Sequence, residues 1–256
     1  MPPTDASAGT GPASARPGRS GPRADSAGPR DPLFREFTVV DEDPDSEDTL
    51  DLRLPAEFIA LRAGTTADLL GRLPSWGQVP TPAGSFQLLP VRIDQDLSLV
   101  HGWMNDPAVA EFWELAGPPD RTAEHLRAQL HGDGRSVPCL GVLDGTPMSY
   151  WEIYRADLDP LARHYPARPH DTGIHLLVGD TADRGRGLGS TLLRAVADLI
   201  LDRRPACARV VAEPDLHNTP SVAAFLSAGF RFAAEIDLPG KRAALLIRDR
   251  TLRAAL

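Results

Sequence analysis

Residues 184–190 read Arg184-Gly185-Arg186-Gly187-Leu188-Gly189-Ser190, between a strand-like run, Gly173 to Gly179 (GIHLLVG), and an apolar helical run from Leu188 to about Arg203. Glycines at alternate positions let the backbone turn through positive φ and keep side chains away from an approaching ligand. At a helix N-terminus the first N–H groups have no intrahelical acceptor, so such a loop aims its amides at an anion. Arg184 or Arg186 is placed to add a charge-assisted contact. Two common phosphate loops are excluded. A Walker A loop needs Gly-Lys-Ser/Thr, and no lysine precedes Ser190. A dinucleotide fingerprint needs G-x-G-x-x-G near the start of its domain, whereas these glycines fall at 185, 187 and 189, deep in the chain.

Outward from the loop the pattern is that of an α/β domain. Upstream, Val137 to Leu143 and Met148 to Tyr154 are apolar strand-like runs joined through Asp144-Gly145, a strong hairpin signal. A polar loop spans about Arg155 to Asp171. Further back, Phe86 to Val91 reads as a strand. Asp94 starts a helix carrying Leu97, Val100 and Met104 at helical spacing, and a second helix runs from about Asp120 to Gly132. Downstream, Arg209 to Glu213 reads as a strand. Thr219 caps a helix with Pro220 in its first turn and Gly229 at its end, and Phe230 to Leu238 and Ala243 to Arg248 are two more strands. Helices alternating with strands predict a mixed central sheet flanked by helices.

The main domain is expected over 85–256. Residues 1–46 are rich in Pro, Gly, Ala and Arg and are expected to be a disordered leader. Residues 47–84 are expected to be an N-terminal extension and linker: Thr49 to Leu54 a short strand, Pro55 to Leu73 a helix broken near Gly64, and Pro74 to Gly84 a connector. The formal net charge of −8 argues against nucleic acid as a partner, since phosphate backbones need a basic face. No run approaches the length of apolar sequence that spans a membrane, and the N-terminus lacks the apolar core of a secretory signal. The two cysteines, Cys139 and Cys207, form no metal or disulfide pattern, so a reduced cytoplasm is expected. His164, His170 and His175 match no common zinc spacing, and no metal is expected.

The run Arg184 to Gly189 resembles the coenzyme A motif Q/R-x-x-G-x-G/A of the GNAT superfamily, and the element order from about Ser85 to Arg250 is that of the GNAT fold. Four further runs carry a narrower resemblance: His101 to Pro107 (HGWMNDP), Glu111 to Trp113 (EFW), Pro169 to His175 (PHDTGIH) and Ala212 to Asn218 (AEPDLHN). They are similar to the siderophore-biosynthesis acyltransferases of aerobactin-type and mycobactin-type pathways, which acylate the side-chain nitrogen of lysine, N6-hydroxylysine or a related diamine. The resemblance implies an acyl-CoA-dependent N-acyltransferase using acyl-CoA as co-substrate, with no permanently bound cofactor and a small amine or hydroxylamine acceptor. It puts His175 and Glu213 in the catalytic positions, with Glu213 standing where some members have Asp. It puts a backbone donor for the thioester oxygen near Leu177 or Val178, and Asn218 and Ser221 near the pantetheine arm. With Arg184 to Gly187, Gly189 and Ser190 these make the expected coenzyme A site.

The chemistry fits those residue types. A lysine side chain is deprotonated to only about one part in 2,500 at pH 7, so a general base helps it attack a thioester. Glu213 takes that proton itself or orients His175 to take it; both assignments are open at this stage. Asn105, Trp113 and Tyr154 are candidates for the acceptor pocket, and Trp103 reads as core. Two other functions fit the glycine loop: a GNAT N-acetyltransferase for an aminoglycoside or a protein N-terminus, and a non-catalytic acyl-CoA-binding module.

Overall fold

The computed structural model describes residues 69–255. The expected leader (1–46), the strand at Thr49 to Leu54 and most of the expected helix from Pro55 lie outside the described residues. Eight strands form one sheet: β1 (Gln78–Thr81), β2 (Gly84–Pro90), β3 (Ser136–Leu143), β4 (Thr146–Arg155), β5 (Thr172–Val178), β6 (Arg209–Ala212), β7 (Arg231–Leu238) and β8 (Lys241–Asp249), in the order β1-β2-β3-β4-β5-β6-β8-β7. β5 and β6 run parallel and every other pair is antiparallel, which is the mixed sheet expected. The helices are α1 (Ile93–Met104), α2 (Pro107–Trp113), α3 (Pro119–Leu130), α4 (Leu188–Arg203) and α5 (Thr219–Ser227).

Side-chain alternation assigns the two faces. Ile174 of β5, Trp151 and Ile153 of β4 and Phe86 and Leu88 of β2 pack with Leu192, Val196 and Ile200 of α4 and Phe225 of α5. Leu177 and Tyr150 face the other way, onto Val100 and Met104 of α1, Val109 of α2 and Leu126 of α3. Burying each such large side chain contributes about 1.5–3 kcal/mol. The Asp144-Gly145 hairpin is present, with both residues at positive φ (46° and 82°), as a tight two-residue turn requires.

Five details differ from the sequence expectations. The connector at 74–84 contains β1, which pairs with β2, and Leu70, Leu73 and Trp76 are buried in the main core, so the ordered domain begins well before Ser85. Residues 73–76 form a single 3₁₀ turn rather than the end of an α-helix. α1 begins at Ile93, ahead of Asp94, with Arg92 as its N-cap and the Asp96 carboxylate accepting the Arg92 N–H at 2.7 Å. Asn105-Asp106-Pro107 ends α1 but also starts α2, because Asp106 accepts the Ala108 N–H at 3.0 Å and Pro107 occupies the first turn, where its missing N–H costs nothing. Likewise Asn218, one residue before Thr219, caps α5 by accepting the Ser221 N–H at 3.1 Å.

Candidate active site

The parallel pairing of β5 with β6 stops after Thr172↔Val210 and Gly173↔Val211, while β5 stays paired with β4 up to Val178. The sheet therefore splays between β5 and β6. A cavity of about 370 Å³ occupies the gap. It is lined by Ile174 and Leu176, which face α4, and by His175, which faces the opposite side, so it passes through the sheet. Trp113 and His125 flank it on one side and Ser221 and Phe225 on the other.

The splay frees backbone donors. The Gly179 N–H donates to the Met148 carbonyl. Antiparallel alternation then turns the N–H groups of Leu177 and His175 toward β4 and those of Leu176 and Val178 toward the gap. Of the two expected oxyanion donors, Val178 has its amide on the open side. Leu177 does not: its N–H lies in the β4 ladder and its side chain in the core, 4% exposed.

Just beyond β5 lies the glycine loop. Gly185 and Gly187 have φ of 72° and 78°, and a Cβ at either would meet nothing within 4 Å. Gly187 is the N-cap of α4. Among the described residues, no N–H from Gly185 to Ser190 donates to a backbone carbonyl, so these amides are open to an anion. Arg184 is not. Its guanidinium donates to the Val178 carbonyl at 2.9 Å, to the Gly179 carbonyl and to Asp106 at 2.8 Å, and Asp106 is held below the usual carboxylate range chiefly by that bond. Arg184 thus ties the loop to β5 and α2 instead of presenting its charge. The Ser190 hydroxyl likewise turns back to the Gly187 carbonyl at 2.8 Å, and Arg186 is left exposed.

His175 and Glu213 meet inside the cavity, with Nε2 to Oε1 at 2.5 Å. The far edge of the ring meets a second carboxylate, Nδ1 to Oε2 of Glu152 at 2.8 Å. Tyr154 donates its hydroxyl to Glu213 Oε2 at 2.7 Å, and its ring lies 4.9 Å from that of His175. Lys241 donates to the Glu213 carbonyl at 2.7 Å. Burial drives His175 toward neutrality, but Glu213 and Glu152 outweigh it and push its pKa up to about 10. Burial raises both carboxylates and the histidines overcome it: Glu213 sits below its ordinary range and Glu152 far below it. Burial beside Glu213 pushes the Tyr154 hydroxyl well up.

Of the expected pocket residues, Trp113 lines the cavity, its ring edge-on to Tyr150 at 5.5 Å and to His175 at 6.0 Å. Asn218 and Ser221 line its other side. Tyr154 lies beneath the site as a support for Glu213 rather than in its wall. Asn105 is away from the cavity: it ends α1 and accepts the Gly117 N–H at 2.9 Å, a structural task for an amide at a helix stop. Trp103 is core, packed so closely on Gly179 that a Cβ there would stand 2.2 Å from its ring. Glu152, His125 and Gln129 were missed. The available signal was a glutamate inside the apolar strand Met148 to Tyr154, sharing a face with Tyr150 and Tyr154. Among the described residues no group of His, Cys, Asp and Glu is arranged to hold a metal ion, and no helix is long and apolar enough to cross a membrane.

Residues 92–238 match the family described as "Acetyltransferase (GNAT) domain". The chain is 36% identical over 219 residues to the lysine N-acyltransferase MbtK of Mycobacterium sp. (strain MCS), covering 86% of this chain and 84% of that protein. It is 38% identical over 148 residues to an N(6)-hydroxylysine O-acetyltransferase of Escherichia coli, covering 58% of this chain and 47% of that protein. Among solved structures it is similar to an uncharacterized protein of Bacillus halodurans, with a TM-score of 0.66 and 31% identity over 70% of this chain and 92% of the other.

Proposed function

The chain belongs to the GNAT acetyltransferase family, and on that footing we propose that it is an acyl-CoA-dependent N-acyltransferase of hydroxamate siderophore assembly. Its acceptor is the side-chain nitrogen of lysine, N6-hydroxylysine or a related diamine, and its place of work is the cytoplasm. The observation that carries this reading is the relationship to a lysine N-acyltransferase along 86% of this chain and 84% of that protein's length. The lining supports it. Glu111, Glu114, Glu152, Glu213 and Asp215 face the cavity against the positive charges of His175 and Lys241, which suits an acceptor that enters as an amine.

In the proposed reaction the diphosphate of acyl-CoA sits on the open amides from Gly185 to Ser190. The pantetheine arm passes Asn218 and Ser221, and the thioester reaches the gap between β5 and β6. The Val178 N–H stabilises the oxygen of the tetrahedral intermediate. The acceptor nitrogen attacks the carbonyl carbon, the C–S bond breaks, and coenzyme A leaves as the thiolate, which takes a proton from solvent while the nitrogen's proton returns to solvent from the base. Both ring nitrogens of His175 face carboxylates, so the imidazole has no free lone pair for the acceptor. Glu213 is the base that takes the nitrogen's proton, and the adjacent imidazolium balances its charge. Neither cysteine touches the cavity, and transfer is direct. Holding both reactants in one cleft supplies much of the acceleration.

Mass spectrometry of products from a panel of acyl-CoAs offered with lysine, N6-hydroxylysine, diamines and an aminoglycoside tests the reading. Acylation of a lysine-type side-chain nitrogen is expected. Turnover of the aminoglycoside alone, or binding of acyl-CoA without turnover of any acceptor, overturns it.

A further inference from the structure

Behind His175 lies a carboxylate that takes no direct part in the scheme above. Glu152 stands on β4 directly across the ladder from His175, with its side chain only 9% exposed. Its Oε2 faces the His175 ring. Its Oε1 gathers the Tyr150 hydroxyl at 2.9 Å, the Gln129 amide at 2.6 Å and His125 Nε2 at 2.6 Å. Gln129 is itself fixed by the Ser136 hydroxyl at 2.6 Å. Burying a carboxylate is costly, and here the partners come from three elements, β4, α3 and β5. No arginine or lysine pairs with Glu152 among the described residues; its ion-pair partners are two imidazoles that line the cavity, His125 and His175, and the second of these also meets Glu213.

We propose that Glu152 is a positioning residue for acyl transfer, acting through His175: it holds the Nδ1 edge of the ring so that the Nε2 edge donates to Glu213. The inference rests on the reading of His175 and Glu213 as the reaction's machinery. An ionised carboxylate only accepts hydrogen bonds, and a neutral imidazole carries a single N–H. Two carboxylates at hydrogen-bond distance from the two ring nitrogens are therefore both satisfied by an imidazolium, which needs Glu152 as much as Glu213. The groups facing the ring are Glu152 and Tyr154 from β4, Glu213 after β6 and the edge of Trp113 from α2. Lys241 of β8 stands 4.0 Å from Glu213 Oε1, His125 and Gln129 of α3 act through Glu152, and Glu111, Glu114 and Asp215 line the same cavity. Against burial, which favours the neutral ring, the two carboxylates hold His175 charged up to a pH of about 10.

The test follows the imidazole resonances of His175 by NMR across pH in the full-length protein, assigned with His175→Gln, alongside kcat and KM for acyl transfer. In the wild type the ring is expected to titrate near 10. In Glu152→Gln the midpoint is expected to fall by about one pH unit or more, and kcat by about tenfold or more, with the KM for acyl-CoA nearly unchanged. Glu152→Asp, which keeps the charge, is expected to keep a midpoint nearer the wild type's. A wild-type ring titrating below 7, or an identical midpoint in wild type and Glu152→Gln, overturns the proposal. If Glu152→Gln does not fold, the wild-type midpoint and that of Glu152→Asp decide, since an aspartate midpoint near 6.5 would also overturn it. A wild-type enzyme that acylates no amine defeats the functional reading but leaves the titration unaffected, so the two failures are distinguishable.

Discussion

Gly173 supports the His175–Glu213 pair from below. A Cβ at this position would lie 2.0 Å from the Tyr154 ring, whose hydroxyl holds Glu213 at 2.7 Å. Gly173→Ala therefore forces the ring away from Glu213. It is expected to lower stability by about 1–3 kcal/mol in urea denaturation and to lower kcat, because overpacking here also displaces Glu213, the proposed base. Glu213→Gln keeps the shape and removes the basicity, so kcat is expected to fall by about 10²–10⁴ with little change in the KM for acyl-CoA. An unchanged kcat would mean that Glu213 is not the base. The linkage at His175 runs in one direction. Its pKa is raised from an unfolded value of about 6.5 to about 10. Its contribution to stability is thus complete below about pH 6.5 and is lost as pH rises toward 10. Glu152 and Glu213 are lowered, so their contributions are present above about pH 4.5 and lost on acidification. Between pH 7 and 10 the wild type is expected to lose about 1–2 kcal/mol, discounted because the ring is 35% exposed and screened. His175→Gln should show a flatter profile in that window, and equal slopes in chemical denaturation at several pH values would contradict the pairing.

The site depends on two elements ending at different points: β6 stops pairing after Val211, while β5 runs on to Val178 and into the glycine loop. The loop and the helix behind it were legible, because glycine spacing and a sixteen-residue apolar pattern are properties of one contiguous segment. So was the meeting of His175 with Glu213, since a strand-helix-strand crossover puts parallel strands side by side. The splay was not legible, because where two strands part depends on pairing between segments about forty residues apart, and neither segment marks it. The internal use of Arg184 was hidden for the same reason: its acceptors are the carbonyls of Val178 and Gly179 at the end of β5 and an aspartate seventy-eight positions upstream. Glu152 was hidden because one acidic residue in an apolar strand does not say which ring it will meet. Gly187, at φ 78° with empty space around its missing Cβ, separates backbone strain from steric block. Gly187→Ala is expected to cost about 1 kcal/mol through the left-handed conformation alone. It should also raise the KM for acyl-CoA several-fold, as the loop amides turn away, with kcat at saturation nearly preserved. A fall in kcat at constant KM would detach the loop from the diphosphate.

Across the described residues, the sheet separates α1 to α3, which carry Trp113 and His125 to one side of the cavity, from α4 and α5, which carry the loop and Ser221 to the other. Both layers rest on strands whose outer edge begins earlier than composition suggested. Pro80 and Pro82 made 74–84 read as a connector, yet an edge strand tolerates proline, and Pro80 pairs opposite Ser85 in β1. Leu70, Leu73 and Trp76, each 3% exposed or less, close the core formed by Phe86, Leu88 and α4. Two arginines of α4's end clasp this segment: Arg203 donates to the Trp76 carbonyl and Arg204 to the Leu69 carbonyl, each at 2.9 Å. A chain beginning at Ser85 therefore differs from one beginning at Leu69 by an edge strand, three buried side chains and the contacts of Arg155, Arg203 and Arg204. Loss of one large core side chain costs about 2–5 kcal/mol, and a whole domain has only about 5–15 to lose. The chain from Ser85 is accordingly expected to be mostly unfolded or to melt at far lower urea, while the chain from Leu69 unfolds cooperatively and retains acyl transfer. Equal urea midpoints for the two would place the domain's start at Ser85, and would mean that the burial of Trp76 contributes nothing to holding the sheet on which the site is built.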